Sequence, residues 1–310
     1  VVVVGATATG KSALAVGIAQ AIGGEVVNAD ASQLYRGMDI GTGKLPVEER
    51  GGVRHHLLDI ADVSETVTVA AFQRQAQSVL AELAARQVPA VLVGGSALHV
   101  RAVLDRFEIP GTDPAVRAAL EHRLAEEGPA ALHAALAGLD PAAAAHILPS
   151  NGRRLVRALE VVTTTGRPFQ AVLPPPRPLE PDEAVLGLRL PRPELDRRIQ
   201  ARVAAMLAAG FLEEVRRLSE HAGLRRDSTA ARALGYAQLL DHLDGGCSLV
   251  EAVDATVAAT RRFSRRQDSW FRRDPRIRWL DADRPAVLPE ALAALTVPTI
   301  GVVSDAPGAP

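Results

Sequence analysis

The sequence predicts an α/β protein: a parallel sheet flanked by helices, with a helical insertion. Three observations predict it. Val1–Val4 is an unbroken β-branched run, the kind buried on both faces of a parallel sheet. Two further short runs, Glu25–Asp30 and Val88–Val93, alternate with segments of helical period, as crossover helices over parallel strands require. After Pro110 the texture changes, and from Asp113 to about Thr165 only Ala- and Arg-rich helical sequence is found.

Taken in order, the first strand runs into the loop Gly5–Gly10, and a helix over Ser12–Ala21 stops at Gly23–Gly24. The second strand ends in an acid, Asp30. Val69–Arg86 places Val69, Phe72, Ala76, Val79, Leu80 and Leu83 on one helical face. The third strand closes at Gly94–Gly95. Pro174–Pro176, with Pro178 and Pro181, forms a stiff linker, after which Ala184–Leu190 returns as a strand. Helices follow over Glu194–Leu218, with a possible break at Gly210, and over Leu249–Phe271. Residues 1–109 with 184–296 are therefore expected to form the core, 110–183 a helical insertion domain, and 297–310 a poorly ordered tail.

Bulk properties exclude several classes. The 310 residues suffice for one large domain and a smaller one. Apolar runs are too short for a bilayer, and Val1–Val4 reads as a chain already inside a strand rather than as a basic leader. Neither a membrane segment nor a signal peptide is expected. The single cysteine, Cys247, rules out a disulfide within the chain and a Cys-based metal centre, which fits a cytoplasmic location. Net charge is −1, yet residues 261–276 hold seven arginines against two aspartates, a local charge of +5. One basic segment on a near-neutral chain suits a polyanion.

The chemistry begins at Gly5-Ala-Thr7-Ala8-Thr9-Gly10-Lys11-Ser12, which fits G-x-x-x-x-G-K-[ST]. Such a loop turns backbone N–H groups around a phosphate; Lys11 adds a point charge and Ser12 can ligate Mg²⁺. The following helix directs its positive end at the same anion. The sheet is thus expected to be P-loop NTPase-like. A nucleoside triphosphate is the default ligand, but the chain lacks an N-K-x-D guanine signature, and no apolar strand ends in Asp-Glu. The acid at a strand end near the loop is Asp30, which could be a general base, a metal ligand or a helix cap. Ser96, at the third strand end, could position a substrate or cap the next helix.

Ordered blocks from residue 4 to about 281 resemble the tRNA dimethylallyltransferase family. They are the phosphate loop; Asp30-Ala31-Ser32-Gln33-Leu-Tyr35-Arg-Gly37-Met-Asp39-Ile-Gly41-Thr-Gly-Lys44; His55-His56-Leu-Leu-Asp59; Leu92-Val-Gly-Gly-Ser96; and Arg153-Arg154-Leu-Val-Arg157-Ala-Leu-Glu160 with Thr165-Gly166-Arg-Pro168. Further on come Arg198-Ile-Gln-Ala-Arg202, Gly210-Phe-Leu-Glu-Glu214, Leu234-Gly235-Tyr236 and Thr260-Arg261-Arg-Phe-Ser-Arg265-Arg-Gln267-Asp-Ser-Trp270-Phe271. The resemblance implies a prenyltransferase that moves the dimethylallyl group of dimethylallyl diphosphate to N6 of the adenosine just 3′ of the anticodon.

By that resemblance Gly5, Thr7, Ala8, Thr9, Gly10, Lys11, Ser12 and Arg202 hold the donor diphosphate with Mg²⁺ as cofactor. Asp30 is the base, and Ser96 positions it or the adenine. Asp30, Ala31, Ser32, Gln33, Ser96, Arg117, Arg153, Arg154, Arg157, Gly235, Tyr236, Arg261, Arg265 and Gln267 meet tRNA, the helical insertion gripping the anticodon arm. Without it, Arg202 and the arginine stripes would read as solvated helix faces. A monomer is the expected state. Phe263 and Trp270 are expected in the core, and His55 and His56 in structural roles. Ala31 replaces the usual Ser, Ser96 the usual Thr, and His99 stands where Tyr is expected. Two rivals share the loop: a small-molecule kinase, marked by ATP turnover without RNA, and a nucleotide-sensing RNA-binding switch, marked by nucleotide-dependent RNA affinity without transfer.

Overall fold

The computed structural model describes residues 1–296; the tail expected over 297–310 lies outside the described residues. Within them one sheet holds β1 (Val2–Gly5), β2 (Glu25–Asn28), β3 (His55–His56), β4 (Ala90–Val93), β5 (Val185–Arg189) and β6 (Ile277–Asp281). Their order is β3-β2-β4-β1-β5-β6, and all the pairings are parallel. The β-branched runs explain the core. Val2 and Val4 face one apolar layer with Phe72, Leu83 and Phe271, while Val3 faces the other with Leu14, Ile18 and Leu186. Burial of both faces is why these strands carry no polar alternation.

The helices of this unit are α1 (Lys11–Ile22), α2 (Val69–Ala85) and α3 (Ala97–Asp105). A second compact unit, Asp105–Pro176, contains α4 (Pro114–Leu139), α5 (Pro141–Ala145) and α6 (Gly152–Thr165). The first unit is Val1–Leu104 together with residues 177–296. It resumes with β5 and adds α7 (Arg192–Ala208), α8 (Phe211–His221), α9 (Tyr236–Leu243), α10 (Leu249–Phe271) and α11 (Val287–Thr296). Gly210, at φ 98°, ends the helical run begun at Arg192 and separates α7 from α8. Ser248 and Glu251 close a reciprocal capping box that starts α10.

Two strands escape the sequence pattern. β3 is only two residues long, and β6, Ile-Arg-Trp-Leu-Asp, sits at a sheet edge where an apolar run is not needed. In the helical unit Leu132, Leu136, Leu155 and Leu159 form its own core. Its α4 kinks at Gly128, φ 76°, beside Pro129, which cannot donate to the helix ladder. Among the described residues no helix is long and apolar enough to cross a membrane.

Candidate active site

Strand order assembles the site. β2, β4 and β1 are neighbours, so their carboxyl ends bring Asp30, Gly95–Ser96 and the phosphate loop side by side, where ligands of parallel sheets bind. In the loop, Ala8 at φ 65° and Gly10 at φ 91° are left-handed. Such turns point successive N–H groups to one side and make an anion cradle. Gly10 precedes α1, whose N-terminal dipole faces the same space. Thr9 Oγ1 and Lys11 Nζ both donate to the Ala6 carbonyl, each at 2.8 Å, folding the loop on itself.

Asp30 sits on a braced turn. Its Oδ1 accepts from Ser32 N at 3.0 Å, a local cap of the kind the residue type allows. The buried Asn28 takes the Asp30 N–H on Oδ1 at 3.0 Å and donates to the Asp30 and Leu57 carbonyls at 3.1 and 3.0 Å. Nothing in the sequence reading singled out Asn28; an amide interrupting an apolar strand two residues before an acid was the available signal. Ser96 Oγ accepts from Ala31 N at 3.2 Å, tying the ends of β4 and β2 together. The backbone at 31 therefore supplies the contact to Ser96, and it needs no Ser side chain there.

Charge is concentrated at Asp30. Burial pushes the Lys11 ammonium down to about 8, with Asp30 opposing and Arg202 reinforcing that shift. Burial also lowers Arg202, again opposed by Asp30. Gly43, at φ 60°, leaves the space that the Arg202 guanidinium fills; a methyl there would collide with it. His99 is pushed down to about 4 by burial, Asp30 acting against the shift. Its ring packs on Phe72 at 4.7 Å between centroids, tilted by 57°. The ring at this position is a neutral imidazole in contact with Phe72.

The loop that carries Gly43 has its own anchor. Glu214, buried, accepts from Asp39 N (2.9 Å), Ile40 N (2.8 Å), Gly41 N (3.1 Å) and Tyr236 Oη (2.6 Å). Lys44, also buried, donates to Asp39 and Asp59, each at 2.6 Å, and to the Tyr35 carbonyl. Gln33 joins this scaffold through the Thr42 and Gly43 carbonyls. Glu214→Ala strips three backbone donors and one hydroxyl of their charged acceptor. It is expected to cost about 3 kcal/mol of stability, read as a lower urea midpoint, with Tyr236→Phe costing about 1 kcal/mol. A Glu214→Ala midpoint matching wild type would refute this anchor.

The profile of the IPP transferase family matches residues 33–274. The chain belongs to this family. It is 58% identical over 298 residues to a tRNA dimethylallyltransferase of Acidothermus cellulolyticus, covering 96% of this chain and 92% of that one. The corresponding enzyme of Thermobifida fusca is 57% identical over 299 residues, covering 94% and 93%. Among solved structures, the full-length tRNA isopentenylpyrophosphate transferase of Bacillus halodurans superposes with a TM-score of 0.69 at 37% identity, covering 95% of both chains. A eukaryotic dimethylallyltransferase described as acting on tRNA superposes with a TM-score of 0.79 at 25% identity, covering 94% of this chain and 76% of that one.

Within this IPP transferase family member, several residues expected at RNA are employed elsewhere. Tyr236 is fully buried among Phe211, Leu239 and Val215, with its hydroxyl on Glu214. Gly235 lies against the Phe211 ring, and Gly235 and Tyr236 are both buried. Arg117 and Arg157 are held by internal partners. Both pair with the fully buried Glu160 at 2.7 Å, and Arg157 also donates to the Pro110 and Gly111 carbonyls. Burial pushes the Glu160 carboxyl up, but the two arginines outweigh it and hold the group below its usual range. Arg261 donates to Gln200 Oε1 at 3.1 Å and to the Asp196 carbonyl, joining α10 to α7. Arg154 donates to the Ala171 carbonyl, although it and Arg153 are exposed; Arg265 is exposed as well.

The inward face of α10 is polar. Thr256, Thr260, Ser264 and Gln267 are buried with Phe271, whereas Phe263 and Trp270 are only half-buried, which corrects their core assignment. Small hydroxyl residues let α10 pack closely on α7 and β1, and Thr256 and Thr260 satisfy their hydroxyls on the preceding turn. Arg101 and Arg266 lie over the Trp270 and Phe263 rings at 6.0 and 5.7 Å. His56 pairs with Glu25 at 2.5 Å and His55 with the Val53 carbonyl, both structural.

Proposed function

We propose that the chain is a tRNA dimethylallyltransferase. The observation that carries the reading is a carboxylate, Asp30, set beside a phosphate loop at adjoining strand ends, with Lys11 and Arg202 in its field. The adenosine, extruded from its loop because a stacked base cannot be reached, presents N6 to the first carbon of dimethylallyl diphosphate. The new N–C bond forms as the C–O bond breaks, and the diphosphate leaves with the electron pair. Asp30 takes the N6 proton, since an exocyclic amine is a poor nucleophile. Lys11, Arg202 and the loop amides receive the charge developing on the leaving group.

Mg²⁺ suits the residues present. Among the described residues no three acids or histidines gather into a metal site, and Mg²⁺ commonly uses one or two protein ligands with phosphate oxygens and water. Ser12, in the first turn of α1, would hold it, and the ion would neutralise the leaving diphosphate. A cytoplasmic monomer is part of the same reading.

Incubation with unmodified tRNA and dimethylallyl diphosphate should yield prenylated adenosine, detected by mass. ATP turnover without RNA and without such a product would favour a kinase instead. For RNA, we assign exposed Arg265 on α10 to phosphate, and Arg153 and Arg154 of the helical unit to the anticodon arm. Arg265→Ala should lower tRNA affinity and make the log K versus log salt slope shallower by about 0.7–0.9. Arg157→Ala and Arg261→Ala should instead lower thermal stability through their internal partners. An unchanged slope in Arg265→Ala would move the RNA face off this helix.

A further inference from the structure

Gln267 is buried on α10, in a stretch otherwise rich in arginine. Its Oε1 accepts from Thr7 N in the phosphate loop at 2.9 Å, and its Nε2 donates to the Gly95 carbonyl at the end of β4 at 2.8 Å. One amide therefore spans the two strand ends between which the reaction is placed. We propose that Gln267 is a positioning residue of the reaction, clasping the phosphate loop to the end of β4. The inference rests on the prenyl-transfer reading of this site and deepens it. It also replaces the expectation that Gln267 meets RNA.

Three features support the clasp. Thr7 adjoins Ala8, which holds the left-handed φ of 65° that a β-carbon disfavours, so the loop needs an external anchor to keep its amides convergent. Gly95 adjoins Ser96, whose Oγ takes the Ala31 N–H beside Asp30. The clasp thus holds donor loop and base in one frame. Finally, Gly95 has no room for a side chain: an added methyl would strike Gln267 Nε2. Only Gln among the similar-sized residues supplies both an acceptor for Thr7 N and a donor for a carbonyl. Glu has no donor when ionised, and Met retains the shape with neither strong group.

The test is a double-mutant cycle on Gly95→Ala and Gln267→Ala, with Gln267→Met as an isosteric single variant. Gln267→Met should raise the KM for dimethylallyl diphosphate about tenfold, roughly the loss of one or two hydrogen bonds, and lower kcat. The dissociation constant for tRNA and its salt slope should stay within about twofold. Gly95→Ala, which displaces the amide without touching Thr7, should do the same. Gly95→Ala/Gln267→Ala should be no worse than Gly95→Ala alone, because both changes break one clasp and the second makes room for the methyl. Additive losses, or a Gln267→Met variant with normal KM and kcat and a lowered melting temperature, would overturn the proposal. If Gln267→Met does not fold, Gly95→Ala and the double variant carry the test. The same cycle read on the affinity for inorganic diphosphate separates this idea from the functional reading. Absence of prenylated adenosine with a coupled diphosphate cycle would sink the reaction and leave the clasp standing.

Discussion

Asp30→Asn is expected to lose about 10²–10⁴ in the rate of prenyl transfer while the fold and donor binding persist, the usual scale for removing a general base. The substitution is mild where it must be. The Asn side chain keeps an oxygen for the Ser32 N–H, and the Asn28 bonds go to the Asp30 backbone, which is unchanged. What is lost is the acceptor for the N6 proton. The negative charge also opposes the downward shifts of Lys11 and Arg202, so its removal lowers the Lys11 ammonium further. Single-turnover transfer should therefore be measured near pH 6.5, roughly where Lys11 stays protonated in both proteins. Transfer within a few-fold of wild type would show that the proton goes elsewhere.

The sequence made the chemistry legible where function depends on local chain geometry. Gly5–Ser12 declared a phosphate loop because the turn, the lysine and the helix start are contiguous. Asp30 and Ser96 stood out as strand-end residues, and the β2-β4-β1 order then made them neighbours. Long-range partnerships were not legible. Arg157 belongs to a basic stripe with Arg153 and Arg154 in sequence, and only tertiary packing delivers the buried Glu160 that it shares with Arg117 of another helix. Tyr236 lies in the Leu234-Gly235-Tyr236 block expected to meet tRNA, yet its hydroxyl serves a carboxylate 22 residues away that is itself capping backbone donors near residue 40. Gln267 was conspicuous as the neutral member of a charged run, but its partners lie 260 and 172 residues away. Periodicity reports which face is wet or dry; it is silent on which buried polar group satisfies which.

Lys11 gives the site a dependence on pH whose sign follows from its environment. Burial lowers the ammonium from 10.5 to about 8, so in the free protein it loses its proton as pH rises through that value. The diphosphate is bound by the charged form, so donor kcat/KM should be flat below about pH 7.5 and fall about tenfold per unit well above pH 8, since this ratio reports groups of the free enzyme. Once bound, the anion favours the protonated lysine, so the corresponding fall in kcat should appear at higher pH. Lys11→Ala should lose about 10²–10³ in kcat, the scale of deleting one donor to a developing anion, with tRNA affinity retained. Lys11→Arg should keep the charge at all accessible pH and abolish the alkaline fall, while remaining impaired because a planar guanidinium does not fit a cradle built for a point charge. The Lys11 Nζ bond to the Ala6 carbonyl, at 2.8 Å, shows how closely the loop wraps that ammonium. An alkaline fall that persists unchanged in Lys11→Arg would assign the titration to another group and remove Lys11 as the charge that grips the donor.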